Sequence, residues 1–124
     1  MAGLKDLIVY KKSFELSMMV FVLTKKFPVE ERYSLTTQIR NSSRSVPANL
    51  AEAYRKRRYL AAFIAKLTDC DGENAETDVH LDTALACNYI APEEHAPAAA
   101  LSAEVGRLLS DMMNNPGKYG VKAR

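Results

Sequence analysis

Apolar residues recur along this chain at helical spacing, no stretch shows sustained strand alternation, and the prolines gather where helices would end. Pro28, Pro92, Pro97 and the Pro116-Gly117 pair divide the chain into four predicted helices, over about residues 6–26, 35–56, 59–90 and 97–113. On the first, at about 100° per residue, Leu7, Phe14, Met18 and Phe21 fall on one side and Val9, Leu16, Val20, Leu23 and Phe27 nearly opposite. A helix apolar on two sides needs two partners. In a four-helix bundle one side meets the core, and the other is exposed unless a second subunit covers it. The alternative is a bundle geometry that buries both sides within one chain; the pattern favours self-association.

The second helix carries an ordinary core stripe of Leu35, Ile39, Val46, Leu50 and Ala53, and Arg40, Arg44, Arg55 and Arg58 form another line beside it, interrupted only by Ala48 and Ala51. Pro47 removes a backbone donor and clashes one turn upstream, so a bend without a break is expected near Ser43, with Ser42, Ser43 and Ser45 serving the freed carbonyls. The third helix is expected to bury Leu60, Phe63, Leu67, Cys70, Leu81 and Leu85, with Asn74 on the same line. From Asp69 to Asp82 it carries six acids and no Lys or Arg, a complement to the basic second helix. The fourth repeats a seam of Leu101, Val105, Leu108 and Met112, with Gly106 allowing close approach by a neighbour.

A length of 124 residues allows one domain with a real core. The division expected is a bundle over 1–115 and a loose tail over 116–124, where two glycines and three cations leave little to bury. The apolar run 16–23 is far short of the roughly 20 residues that span a bilayer. Charges at Lys5, Asp6, Lys11, Lys12 and Glu15 spoil the order of a signal peptide, so a cytoplasmic location without membrane contact is expected. Cys70 and Cys87 read as free thiols.

Candidate chemistry is sparse. Glu76 and His80 lie one helical turn apart, but the paired Glu and His motifs of a carboxylate-bridged metal bundle are missing, and His95 sits in a proline-rich connection without an evident partner. Neither histidine has a nucleophile motif, and there is no glycine-rich phosphate loop. The reading is a non-enzymatic protein with no catalytic residue, metal, cofactor or small-molecule substrate. What remains is charge: residues 40–58 hold six cations and one anion, Glu52. Exposed, such a stripe neutralises phosphates and gives salt-sensitive, sequence-independent binding. Paired with the acidic third helix, it is structural. With only Tyr54 and Tyr59 nearby to stack on bases, backbone contact is expected over base readout.

Three strings carry a resemblance: LIVYKKSFEL (7–16), FPVEERYSLTTQIR (27–40) and SSRSVPANLAEAY (42–54). They resemble the bacterial four-helix bundle protein family, which includes the proteins of intervening sequences in large-subunit ribosomal RNA genes and is related to the accessory variability determinant of diversity-generating retroelements. The resemblance covers roughly 4–115. It implies an all-α, up-and-down four-helix bundle in a barrel-like ring, a homopentamer without known catalytic activity. In the retroelement branch it implies binding of a reverse transcriptase and nucleic acid through basic residues. Arg40 falls in the family's QIR string; Arg44, Ala53, Asp71, Gly72 and Glu73 depart from the usual pattern. Two functions are carried forward: a helical oligomer that scaffolds nucleic acid or a nucleic-acid enzyme through Arg40, Arg44, Arg55 and Arg58, and a purely structural protein-interaction oligomer.

Overall fold

The computed structural model describes residues 3–122, and among them there are four α-helices and no strand. Helix α1 spans Ile8–Thr24, α2 Leu35–Arg55, α3 Leu60–Ala86 and α4 Pro92–Asn114, with short 3-10 turns before α1, between α1 and α2, and after α4. The connections from α2 to α3 and from α3 to α4 are only a few residues long, which makes those pairs antiparallel. Each helix packs on the next and α4 closes on α1. The result is an up-and-down four-helix bundle.

The helix ends are set by local chemistry. Before α2, the Glu31 carboxylate accepts hydrogen bonds from the Ser34 hydroxyl, the Leu35 N–H (3.3 Å) and the Tyr89 hydroxyl (2.8 Å). These donors, Ser34 foremost, hold its carboxyl below the usual range. The third helix, expected to reach residue 90, stops at Ala86 because Asn88 turns left-handed (φ 61°). The Asn88 and Tyr89 N–H groups then fold back onto the Leu85 and Ala84 carbonyls, at 3.0 and 2.9 Å.

The fourth helix starts earlier than expected, at Pro92 rather than Pro97. Proline at the first helical position gives up no helical hydrogen bond, and Glu94 accepts the Ala91 N–H at 2.8 Å. Pro97 is exposed inside the helix and costs it one bond.

Helix α2 passes through Pro47 without ending. The three serines, however, do not serve the carbonyl that the proline orphans. Ser42, Ser43 and Ser45 donate to the carbonyls of Ile39, Arg40 and Asn41, at 3.3, 3.2 and 2.8 Å. A helical serine reaches only three or four residues back, so none of these can reach Ser43 O.

Two apolar cores stack along the bundle. One gathers Val9, Leu50, Phe63, Leu67, Leu109 and Met112, the other Leu16, Val20, Ile39, Leu81, Ile90 and Leu101. On α4 the fully buried residue is Leu109, with Leu108 half-buried; on α3, Thr77 and Ala84 go inside while Leu60 and Leu85 stay half-buried. Polar pairs lie inside the bundle as well. Ser42 and Thr77 hydroxyls meet at 2.8 Å, the Asn74 amide donates to Ser102 O at 2.9 Å, and the Ser102 hydroxyl donates to Asn74 Oδ1 at 3.3 Å. No buried side-chain polar atom among the described residues lacks a partner, as a polar interior requires. Gly106 packs beside Asn74, where an added Cβ would stand 3.5 Å from the amide nitrogen, an ordinary contact. No helix of the described residues is long and apolar enough to cross a membrane.

The tail expected to be loose folds back as far as it is described. Residues Pro116–Tyr119 form a 3-10 turn, and Val121 enters the core of Val9, Leu50 and Phe63, 5% exposed. The Tyr119 hydroxyl donates to Asp111 Oδ2 at 2.7 Å, and Lys118 pairs with the same carboxylate at 3.0 Å. Residues 123 and 124 lie outside the described part.

Candidate nucleic-acid interface

Helix α1 presents its two sides unequally. Val9, Leu16 and Val20 are buried together with Ser13, Ser17 and Thr24. These small polar residues satisfy their hydroxyls on their own helix, at the carbonyls of Tyr10, Phe14 and Phe21. On the other side Phe14 and Met18 are 41% and 48% exposed while Leu7 and Phe21 are half-buried, and Ile8 and Val22 beside them stand open at 60% and 62%. One chain therefore does not bury both sides. Next to the open side, a groove of about 470 Å³ between α1 and α4 is walled by Met18, Met19, Val22, Leu23 and Pro97.

The four candidate arginines separate into two groups. Arg40 is half-buried: its Nε donates to Thr24 Oγ1 at 2.7 Å, and its guanidinium lies 5.1 Å from the centroid of Phe21. Arg44 is exposed but leans on the same ring, at 5.8 Å. Both are drawn toward α1, where the ring face attracts cations. Arg55 ends α2 and is exposed. Arg58, expected on the helix, is not on it. The helix stops at Arg55, because four successive cations are followed by a backbone that must reverse into α3 within a few residues, and Tyr59 is already extended.

Around that reversal a cleft of about 690 Å³ opens between the α2–α3 turn and the C-terminal segment. Arg55, Arg58, Tyr59, Gly120 and Lys122 line it together with the Tyr54–Arg57 pair. Arg57 stacks on the Tyr54 ring, 3.5 Å from its centroid, and donates to Tyr54 O at 2.8 Å and Tyr119 O at 3.1 Å. It thus ties the tail to the turn. Gly120 is left-handed (φ 84°), and a Cβ there would come within 3.1 Å of Arg57 Nη1. Lys122 and Gly120 were not among the residues that sequence reasoning selected. Their signal was Val121, an apolar residue in a tail otherwise rich in cations and glycine.

The expected complement between the basic helix and the acidic one does not form. No arginine enters an ion pair among the described residues. Where α2 and α3 do pair, the signs are reversed: Glu52 of α2 meets Lys66 of α3 at 2.7 Å. Their bond holds the Glu52 carboxyl below and the Lys66 ammonium above the usual values. Three of the acids of α3 turn instead to other partners, Asp69 to Lys66 at 3.6 Å, Glu76 to His80 at 3.3 Å and Asp82 to His95 at 2.8 Å. His95, expected without a partner in a connection, therefore lies on α4 and has one. Antiparallel packing explains the mismatch: the basic end of α2 lies beside the start of α3, away from the acidic run, and Arg40 and Arg44 face α1.

Residues 5–111 match the 23S rRNA-intervening sequence protein family. Among solved structures, the chain is similar to a protein of unknown function from the S23 ribosomal protein family of Bacteroides thetaiotaomicron. The TM-score is 0.76 and the identity 30%, over 86% of this chain and 98% of that one. No curated protein matches the chain.

Proposed function

We propose, from the premise that this chain belongs to the 23S rRNA-intervening sequence protein family, that it is a non-enzymatic, self-associating scaffold that binds nucleic acid through the basic end of α2. The observation that carries this reading is the exposure of Arg55 and Arg58 beside Lys122, with no carboxylate among the described residues paired to either arginine. An unpaired guanidinium keeps both its charge and its fork of donors for a phosphate. The open side of α1 supports self-association, since apolar side chains in a row along one helix face are what a second subunit covers. A ring of five copies, as the resemblance implies, would repeat the cleft around its circumference and multiply the field that attracts a polyanion. A bound reverse transcriptase belongs to the same reading as a protein partner of that ring, and the cytoplasm is its place.

Binding of a mixed-sequence RNA, followed by fluorescence anisotropy, tests the reading. The chain with Arg55→Glu and Arg58→Glu is expected to lose binding while keeping its helicity and its mass in solution. Undiminished binding by this variant would refute it. Light scattering on a sizing column tests the assembly: a multiple of the 13.8 kDa chain mass, five-fold for the pentamer, is expected. Phe14→Glu with Met18→Glu is expected to return it to the single-chain mass. A wild-type mass of one chain at micromolar concentration would remove self-association from the proposal.

A further inference from the structure

The cleft at the α2–α3 turn holds more than charge. Its volume, about 690 Å³, lies within the roughly 300–1,000 Å³ typical of sites that enclose a small molecule, whereas a patch that only tracks a phosphate backbone needs no concavity. Tyr59 projects into it with 64% of its surface exposed. Its backbone is already committed, the N–H to Lys56 O at 3.0 Å and the carbonyl to Phe63 N–H at 2.9 Å, so the main chain that carries the ring is fixed at the start of α3. A second flat surface also lines the cleft, the Arg57 guanidinium laid on Tyr54 and fixed by hydrogen bonds to Tyr54 O and Tyr119 O. Arg55, Arg58 and Lys122 complete the lining. Two planar groups that accept a base, next to three cations that accept a phosphate, are the parts of a nucleotide pocket.

We infer that this cleft takes one unpaired nucleotide of a single-stranded nucleic acid, its base stacked against Tyr59 and its phosphates gripped by Arg55, Arg58 and Lys122. The inference rests on the polyanion-binding reading above and deepens it. In a duplex the base faces are covered by their neighbours, so a duplex meets the cations alone. Stacking is indifferent to base identity, so the site discriminates strandedness without reading sequence.

The test compares a short mixed-sequence RNA with the same RNA annealed to its complement, using the full chain, wild type and variants. Tyr59→Ala is expected to weaken the single strand by roughly 5- to 100-fold and leave the duplex unchanged. Tyr59→Phe, which keeps the ring and loses the hydroxyl, is expected to bind both forms as wild type does. Arg55→Glu with Arg58→Glu is expected to weaken both forms. If Tyr59→Ala weakens both forms equally or neither, the nucleotide pocket is overturned and the polyanion reading stands. If Tyr59→Phe fails as Tyr59→Ala does, a hydroxyl contact replaces stacking and the inference falls as well. If no form shows arginine-dependent binding, both readings fall together.

Discussion

Arg40 and Arg44, in the first half of α2, and Arg55 and Arg58, at its last residue and in the turn just past it, are the same residue type in one basic segment, yet they have different surroundings. The first pair lies beside α1, which offers the Phe21 ring and the Thr24 hydroxyl, and both guanidinium groups lean that way. The second pair lines a cleft at the turn and the folded-back tail, where the described lining residues offer cations and tyrosines but no carboxylate. A charge run therefore does not define a binding surface by itself. What the neighbouring element presents decides which charges are spent on the fold and which stay free.

The largest expected effect separates the two ends by binding. Reversing Arg55 and Arg58 to Glu is expected to weaken RNA binding by roughly 100-fold, because two phosphate contacts are replaced by two repulsions. The same reversal at Arg40 and Arg44 is expected to cost only a few-fold. Equal losses at both ends, measured by anisotropy at one salt concentration, would erase the distinction.

Stability should show the opposite order. Arg40→Ala removes a hydrogen bond to a buried threonine and a cation over a ring, and is expected to destabilise the chain by about 1–2 kcal/mol. Arg55→Ala is expected to stay within about 0.5 kcal/mol, as at most exposed positions. Denaturant unfolding of the two variants decides it, and a costlier Arg55→Ala would mean that the far end is structural too.

The smallest effect concerns the tail that walls the cleft. The Tyr119 bond to Asp111, with help from Lys118, holds the Asp111 carboxyl below its usual range. That stabilisation is therefore present above about pH 4, the ordinary aspartate value, and is lost as pH falls through the lowered one. Burial, and then the same bond, push the Tyr119 phenol up to about 12. Its contribution is complete below about pH 10, the ordinary tyrosine value, and is lost as pH rises through about 12. The phenolate absorbance missing from a Tyr119→Phe variant should accordingly titrate near the raised value. Titration at the ordinary tyrosine value would mean that the tail is not docked.

Much of this architecture is legible in the residues, because periodic apolar positions report burial directly. The stripe of Leu35, Ile39, Val46, Leu50 and Ala53 is buried as its spacing implies, and the two-sided α1 keeps one side open. The start of α4 was less legible. Pro97 is a breaker only in a helix interior, and the stronger start signal was Pro92 with Glu94 behind it. The seam chose Leu108 where Leu109 is buried, since spacings of three and four are both helical and only packing selects between them. At the candidate interface the arginines are evident as a charge run. Their division, the departure of Arg58 from the helix and the arrival of Lys122 depend on tertiary neighbours far off in sequence. No local pattern encodes these.

The central claim is that the free cations at the far end of α2 contact phosphates, and the salt dependence of RNA binding tests it most directly. Affinity measured over a range of salt concentrations should fall linearly on a log–log plot, and each phosphate contact contributes about 0.7 to the slope for a single strand. Arg55→Gln with Arg58→Gln removes two cations without adding negative charge, so the slope is expected to shrink by about 1.4, while Arg40→Gln with Arg44→Gln leaves it as in the wild type. An unchanged slope in the Arg55 and Arg58 variant would contradict the claim, as would a loss of slope confined to Arg40 and Arg44.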